Sequence, residues 1–232
     1  MPAVAAVQIA CWREENVMRR MLFSKTGRAV WMSHLDLMRL MQRAFRRAGV
    51  LLHHSQGFTP HAYVSLILPL SVGVESVCEI MEYELDTDIT LTPEQLNAVL
   101  PEGVRILSVY ESNRKGKELT DLTAQLTLVY DKGIPAGALE GVNALLQQES
   151  LVVEKRTKRG MEETDIRPMI KSCTLTAEGE SLILQCTVSA QNPSLNPMLI
   201  ATAIERYLPE YRPDFAKCCR LEVLDSTGKA FR

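Results

Sequence analysis

The sequence predicts an α+β fold made of two tandem ferredoxin-like modules, each of the order βαββαβ. Three observations carry this expectation. A chain of 232 residues with 46% hydrophobic content has enough apolar material for a core in one or two domains. Its apolar period alternates between two, as in strands, and 3.6, as in helices. The resulting order of elements can be read twice, although no residue-level repeat joins the halves. The expected divisions are a disordered extension over residues 1–18, a first module over 19–112, a second over 118–226 and a tail over 227–232.

In the first half, Met21–Lys25 and Ala29–Met32 have the alternation of strands, and the period turns helical at Ser33. Ser33, followed three residues later by Asp36, forms a capping-box pattern that marks the helix start. At 100° per residue Leu37, Met38, Met41, Ala44, Phe45 and Ala48 share one face, while Arg39, Arg43, Arg46 and Arg47 gather on the other. Gly49 ends this helix. Val50–His54 is then a short strand, Ser55–Pro60 a turn-rich loop, and Val64–Leu68 and Ser76–Leu85 are strands. Thr92, with Pro93 at the first helical position, opens a short helix to Leu100, and Val104–Glu111 closes the module as a strand.

After a polar connector at Ser112–Lys117, the second half begins with a strand at Thr123–Tyr130. A helix at Ala136–Gln148 and a strand at Leu151–Lys158 follow, then a hairpin from Ser172 to Ser189 turning at AEGE. A helix running from Asn196–Pro197 to Tyr207 and a strand at Arg220–Leu224 complete the order.

Composition narrows the functional class. The longest apolar stretch, Ala62–Val74, is broken by Ser65, Pro69 and Ser71 and falls short of the roughly 20 residues that span a bilayer, so no membrane association is expected. The opening residues lack a basic n-region and run into Arg13, Glu14 and Glu15, unlike a secretory signal; Met18 and Met21 are as suitable as Met1 for a start. Six cysteines, at 11, 78, 173, 186, 218 and 219, show neither C-x-x-C nor zinc spacing. They suit buried, reduced thiols of a cytoplasmic protein. Walker, G-x-G-x-x-G, H-E-x-x-H and G-x-S-x-G patterns are all missing, and neither a metal nor another cofactor is expected.

The charge is unevenly placed. Between Arg19 and Arg47 stand eight Arg or Lys residues against one acid, Asp36. Subtracting that segment's +7 from the formal total of −2 leaves −9 for the rest of the chain. Such a concentrated cationic face suits a polyanion. The bland alternative is a solvated helix face, or one neutralised within the fold by the stretch from Glu75 to Glu102, which holds eight acids and no Lys or Arg. Lys25, Gly27, Arg28, Ser33 and His34 are expected around one helix N-terminus, where exposed N–H groups favour phosphate. His34 reads either as a packed histidine or as a general acid or base. Ser55, Gly57, Phe58, Pro60 and His61 belong to a loop with the make-up of a base-stacking, phosphate-gripping segment, or simply of a shaped connector anchored by Phe58. The consecutive pair His53 and His54 would face opposite ways in a strand, which argues against a metal site. On the expected order, the basic helix and this loop both lie around the start of the first helix. A second basic group, Lys155, Arg156, Lys158 and Arg159, would extend a groove between the modules.

The run FSKTGRAVWMSHLDLMRLMQRAFRRAG, followed by HSQGFTPHAYVSLILPLSVGVES, CEIMEYEL and Leu100-Pro101-Glu102-Gly103, resembles the radical-SAM-associated family of unknown function, whose members occur alone or fused behind a cobalamin-binding radical SAM domain. The resemblance weakens through Thr164–Lys171 and Asn192–Pro197 and covers about residues 19–225. It places Ser33, His34 and Asp36 in the family's helix start, and Ser55, Gly57, Phe58, Pro60 and His61 in its S-x-G-F-x-P-H loop. Asn196 departs from the arginine more usual there. The resemblance implies a radical SAM protein as partner; the chain itself lacks the cysteine triad that holds an iron–sulfur cluster. A remoter, fold-level similarity is to CRISPR repeat-processing endonucleases, which also pair ferredoxin-like modules.

The leading expectation is an accessory protein that binds ribosomal or transfer RNA, or presents it to a radical SAM partner. Its contacts would be Lys25, Arg28, Ser33, Arg39, Arg43, Arg46, Arg47, Ser55, Gly57, Phe58 and His61. A metal-independent RNA-processing enzyme using His34 is the first alternative, and a protein-docking module that ignores RNA is the second.

Overall fold

Alternation along the first strand turns Met21, Phe23 and, at the same spacing, Lys25 inward. The computed structural model describes residues 17–157 and 160–232. The expected N-terminal extension therefore lies almost wholly outside the described residues, as do Lys158 and Arg159.

The first half consists of β1 (Met18–Lys25), α1 (His34–Arg47), β2 (Val64–Leu66), β3 (Glu75–Tyr83), α2 (Pro93–Asn97) and β4 (Val104–Ser112). The second consists of β5 (Leu119–Val129), α3 (Ala138–Leu146), β6 (Val152–Thr157), β7 (Gly160–Asp165), β8 (Ile170–Glu178), β9 (Ser181–Ser189), α4 (Met198–Tyr207) and β10 (Phe215–Asp225). Among the described residues this is a mixed α+β fold with one large, mostly antiparallel sheet of eight strands. Its order is β4-β1-β3-β10-β5-β9-β8, with β2 also on β3, while β6 and β7 form a separate hairpin.

The two halves meet at β3. Its C-terminal end pairs with β2, Tyr83 opposite Val64 and Met81 opposite Leu66. Its N-terminal end takes the short parallel pairing with β10, Glu75 opposite Cys219 and Ser76 opposite Arg220. Consecutive side chains of β3 then point to opposite faces: Cys78 and Ile80 join the apolar cluster under α3 and α4, Met81 and Tyr83 that under α1 and α2. The helix pairs therefore cover opposite faces of the sheet.

Several elements differ from expectation for local reasons. Ala29–Met32 is no strand. Gly27–Trp31 is a 3-10 turn, and the buried Lys25 ammonium donates to the carbonyls of Val30 (3.2 Å) and Met32 (3.1 Å), gathering the turn around itself. Val50–His54 makes only isolated bridges, Leu52 to Leu85 and His54 to Ala62, because its two ends pair with different segments. β7 lies in a segment assigned no element from the sequence; its residues from Gly160 to Glu163 are exposed, so burial imposes no apolar alternation. Gly103, at φ +88°, admits no side chain, since a Cβ would stand 2.5 Å from the Thr26 carbonyl oxygen.

Cys78, Cys186 and Cys218 are buried, and desolvation pushes each thiol up to about 12. At pH 8 only about one in ten thousand of such groups is the reactive thiolate. Peptide mapping after iodoacetamide treatment of the native protein should therefore find these three alkylated after the half-buried Cys173 and Cys219; equal rates would contradict the packing described. Cys11 lies outside the described residues.

Candidate nucleic-acid interface

α1 is positioned by its apolar stripe, Leu37, Met41, Ala44 and Phe45, all buried, with the Phe45 ring 5.2 Å from that of Tyr83 on β3. Ser33 caps it: the Ser33 Oγ accepts from the Asp36 N–H at 3.2 Å and donates to the Asp36 carboxylate at 2.7 Å. Gly49, at φ +73°, terminates it.

Burial of the stripe leaves Arg39, Arg43, Arg46 and Arg47 exposed along the other side. Only Arg39 has an acid near, Asp36 at 3.5 Å. Among the described residues, Arg28, Arg43, Arg46 and Arg47 form no ion pair. Five acids of the Glu75–Glu102 stretch are engaged away from this face. Glu82 pairs with Arg20, Asp88 with Arg19 and Glu79 with Arg220; Asp86 bonds His53, and Glu75 accepts from the Gly27 N–H. Arg46 and Arg47 in the last turn also complement the helix dipole.

The loop 55–61 is closed at its base. The Ser55 Oγ accepts from the His61 N–H at 3.0 Å, and the Ser55 N–H donates to the His61 carbonyl at 2.8 Å. This ring holds Gly57 at φ +135° and sets Phe58 at the tip with its side chain fully exposed. Phe58 therefore anchors nothing among the described residues. The flanking strand ends are pinned by His53, bonded to Asp86 at 2.7 Å and stacked on Tyr63.

The predicted residues do not all meet. The loop sits at the C-terminal end of α1, where Val50 N–H bonds Phe45 and His53 N–H bonds Glu84. Ser33 and His34 stand at the other end, beside Lys25, which lies opposite Ser76 at the far end of β3. A helix of 14 residues separates these ends by about 21 Å. The expectation that helix start and loop form one site is thus corrected. Of the predicted residues, Arg46 and Arg47 stand in the last turn of α1, at the end the loop adjoins, with Arg43 one turn before, whereas Arg28 and the exposed His34 belong to the opposite end.

Lys25 is a second correction: it is 1% exposed, its ammonium is engaged by carbonyls, and it is no outward contact. Burial lowers its pKa, with Glu79 opposing and Arg220 reinforcing the shift. Ser33 is occupied in capping, and Leu37 N–H bonds the Ser33 carbonyl, so this terminus offers few free donors. From the second basic group, Lys155 bonds the Ser194 carbonyl at 2.8 Å.

Unforeseen from the sequence is a buried ion group at the β3–β10 junction. The Arg220 Nη1 donates to Glu79 at 2.9 Å and to the Leu68 carbonyl at 2.8 Å, and Nη2 donates to the Pro69 carbonyl at 3.3 Å. Glu79 is 1% exposed, and its Oε2 has no partner among the described residues. No group of three or more His, Cys, Asp or Glu among the described residues is placed to hold a metal, and no described helix is long and apolar enough to cross a membrane.

The model of an uncharacterised protein family conserved in bacteria, DUF2344, matches residues 19–197. No curated protein matches the chain. Among solved structures, the chain is similar to one in the crystal structure of a Cbf5-Nop10-Gar1 complex, at 9% identity and a TM-score of 0.50, over 88% of this chain and 48% of that one. It is also similar to one in an archaeal box H/ACA sRNP Nop10-Cbf5 complex, at 10% and 0.42, over 87% and 46%. The chain thus spans about half the length of each, and at such identity the first likeness is one of fold alone. An unknown protein from Galdieria sulphuraria matches at 11% identity and a TM-score of 0.24, over 88% of this chain and 98% of that one.

Proposed function

We propose, for a chain that belongs to the DUF2344 family of uncharacterised proteins conserved in bacteria, that it binds RNA along the outward side of α1 and over the loop 55–61. The observation that carries this is the row Arg39, Arg43, Arg46 and Arg47, exposed and, save for Arg39, without an acid among the described residues. Four guanidinium groups on one helix face would track a phosphate backbone, and the projecting Phe58 would stack on an unpaired base beside it. Single-stranded or looped RNA suits this pairing of charge and aromatic ring better than a duplex, whose bases are not free to stack. The chain would act as an accessory, presenting the RNA in the cytoplasm to a radical SAM partner of the kind its sequence resemblance implies. Its framework would be two ferredoxin-like modules: the pairing orders β4-β1-β3-β2 and β10-β5-β9-β8 support that reading.

The test is the salt dependence of binding to a fluorescent single-stranded RNA. Four phosphate contacts predict a slope of about −3 in log affinity against log salt, hence about 50-fold weaker binding at 200 mM than at 50 mM. A salt-independent affinity, or none at low salt, would remove the proposal.

A further inference from the structure

Away from α1, a cavity of about 160 Å³ lies between the segment after β2, the segment before α4 and the strands β5 and β10. Its wall is divided between apolar side chains, including Leu68, Leu122, Ala124 and Leu195, and polar ones, Ser71, Ser194, Asn196 and Arg220. A volume of this order accommodates a benzene-sized body.

The guanidinium of Arg220 is only partly spent. Of its five N–H groups, two on Nη1 go to Leu68 and Glu79 and one on Nη2 goes to Pro69. Nε–H and the second Nη2–H donate to no described residue. Those two form the side edge of the guanidinium plane, the geometry that takes a carboxylate through two parallel hydrogen bonds. The charge balance agrees. Lys25 and Arg220 bring two positive charges against the one of Glu79, and all three interact. The group thus has room for one more negative charge, which a carboxylate supplies and a phosphate dianion exceeds. The terminus of α4 adds little: its first N–H groups are taken by Asn196 and Pro197.

We propose that this cavity is a binding site for a small monocarboxylate with an apolar body of about benzene size, its carboxylate on the free edge of Arg220 and its body against Leu122, Ala124 and Leu195. The site is independent of the RNA reading. It opens near the exposed Ser194, so substitution there closes it without disturbing the buried ion group.

Calorimetric titration of the full chain with benzoate tests this, with benzamide as the uncharged isostere. Benzoate should bind at least ten-fold more tightly than benzamide. Ser194→Trp, at the rim, should abolish benzoate binding while leaving thermal unfolding unchanged, and Arg220→Gln should abolish it where that variant folds. Equal affinities for the two compounds, benzoate binding undiminished in Ser194→Trp, or no benzoate binding at millimolar concentration would each overturn the assignment.

Discussion

A chain carrying Arg43→Glu together with Arg46→Glu binds single-stranded RNA at least about 100-fold more weakly than the parent at 50 mM salt, and its salt slope falls by half. Each arginine that neutralises a phosphate releases a counterion, adding about −0.7 to the slope. Two of four contacts are lost, and two carboxylates now repel the backbone. Folding is a separate matter, and the surroundings keep it so: both side chains are exposed and neither pairs with an acid among the described residues. Arg46 lies in the last turn of α1, where reversal opposes the helix dipole by about 1 kcal/mol. Circular dichroism should therefore show an unchanged fold in the variant. Fluorescence anisotropy gives the decisive number, and affinity unchanged by the double reversal would end the RNA reading. A protein partner retained by the parent and lost by the variant, with RNA ignored by both, would favour docking to an acidic protein instead.

The parts of this interface visible in the sequence are those set by local chemistry. Ser33 and Asp36 mark the start of α1, Gly49 its end, and the 3.6-residue period sorts its apolar and basic sides without reference to the rest of the fold. The reciprocal half of the capping box is altered, since the Asp36 carboxylate meets the Ser33 hydroxyl rather than its N–H. What escaped the sequence depends on pairing across the sheet. Whether the loop 55–61 sits at the start or the end of α1 follows from which end of β3 receives residues 53 and 63, bonded to Glu84 on both sides. β10 extends from Phe215, five residues before its apolar run suggests, because it is ordered by β5, where Phe215 lies opposite Val129. Lys25 was legible in principle: it continues the spacing of Met21 and Phe23, and a period-2 rule places it inside. Its charge made an outward role the more natural expectation, and only the two carbonyls of the following turn together with the distant acid Glu79 explain how the interior tolerates it.

That tolerance leads to the largest stability effect. Glu79→Ala should destabilise the protein by about 3–5 kcal/mol, because removing one member of a buried ion pair leaves its partner uncompensated in a poorly solvating interior. Here two cations are stranded, Arg220 and Lys25, while the carbonyls of Leu68 and Pro69 still hold the guanidinium in place. For a chain of this length the loss corresponds to roughly 6–20 °C in melting temperature. Glu79→Leu with Arg220→Met removes the pair as a unit and should cost less than Glu79→Ala alone, the expected mark of coupling. The pH dependence has a definite sign. Lys25 already titrates below its ordinary value of 10.5, burial being the main cause and Glu79 the opposing influence. Between that lowered value and 10.5 the folded state binds fewer protons than the unfolded state, so stability rises with pH across the window. Deleting Glu79 lowers the Lys25 value further and widens the window downward. Urea unfolding at pH 7 and pH 9.5 should therefore find the deficit of Glu79→Ala smaller at the higher pH. A deficit equal at both would show that the stranded charge is Arg220 alone, and that Lys25 is satisfied by its two carbonyls.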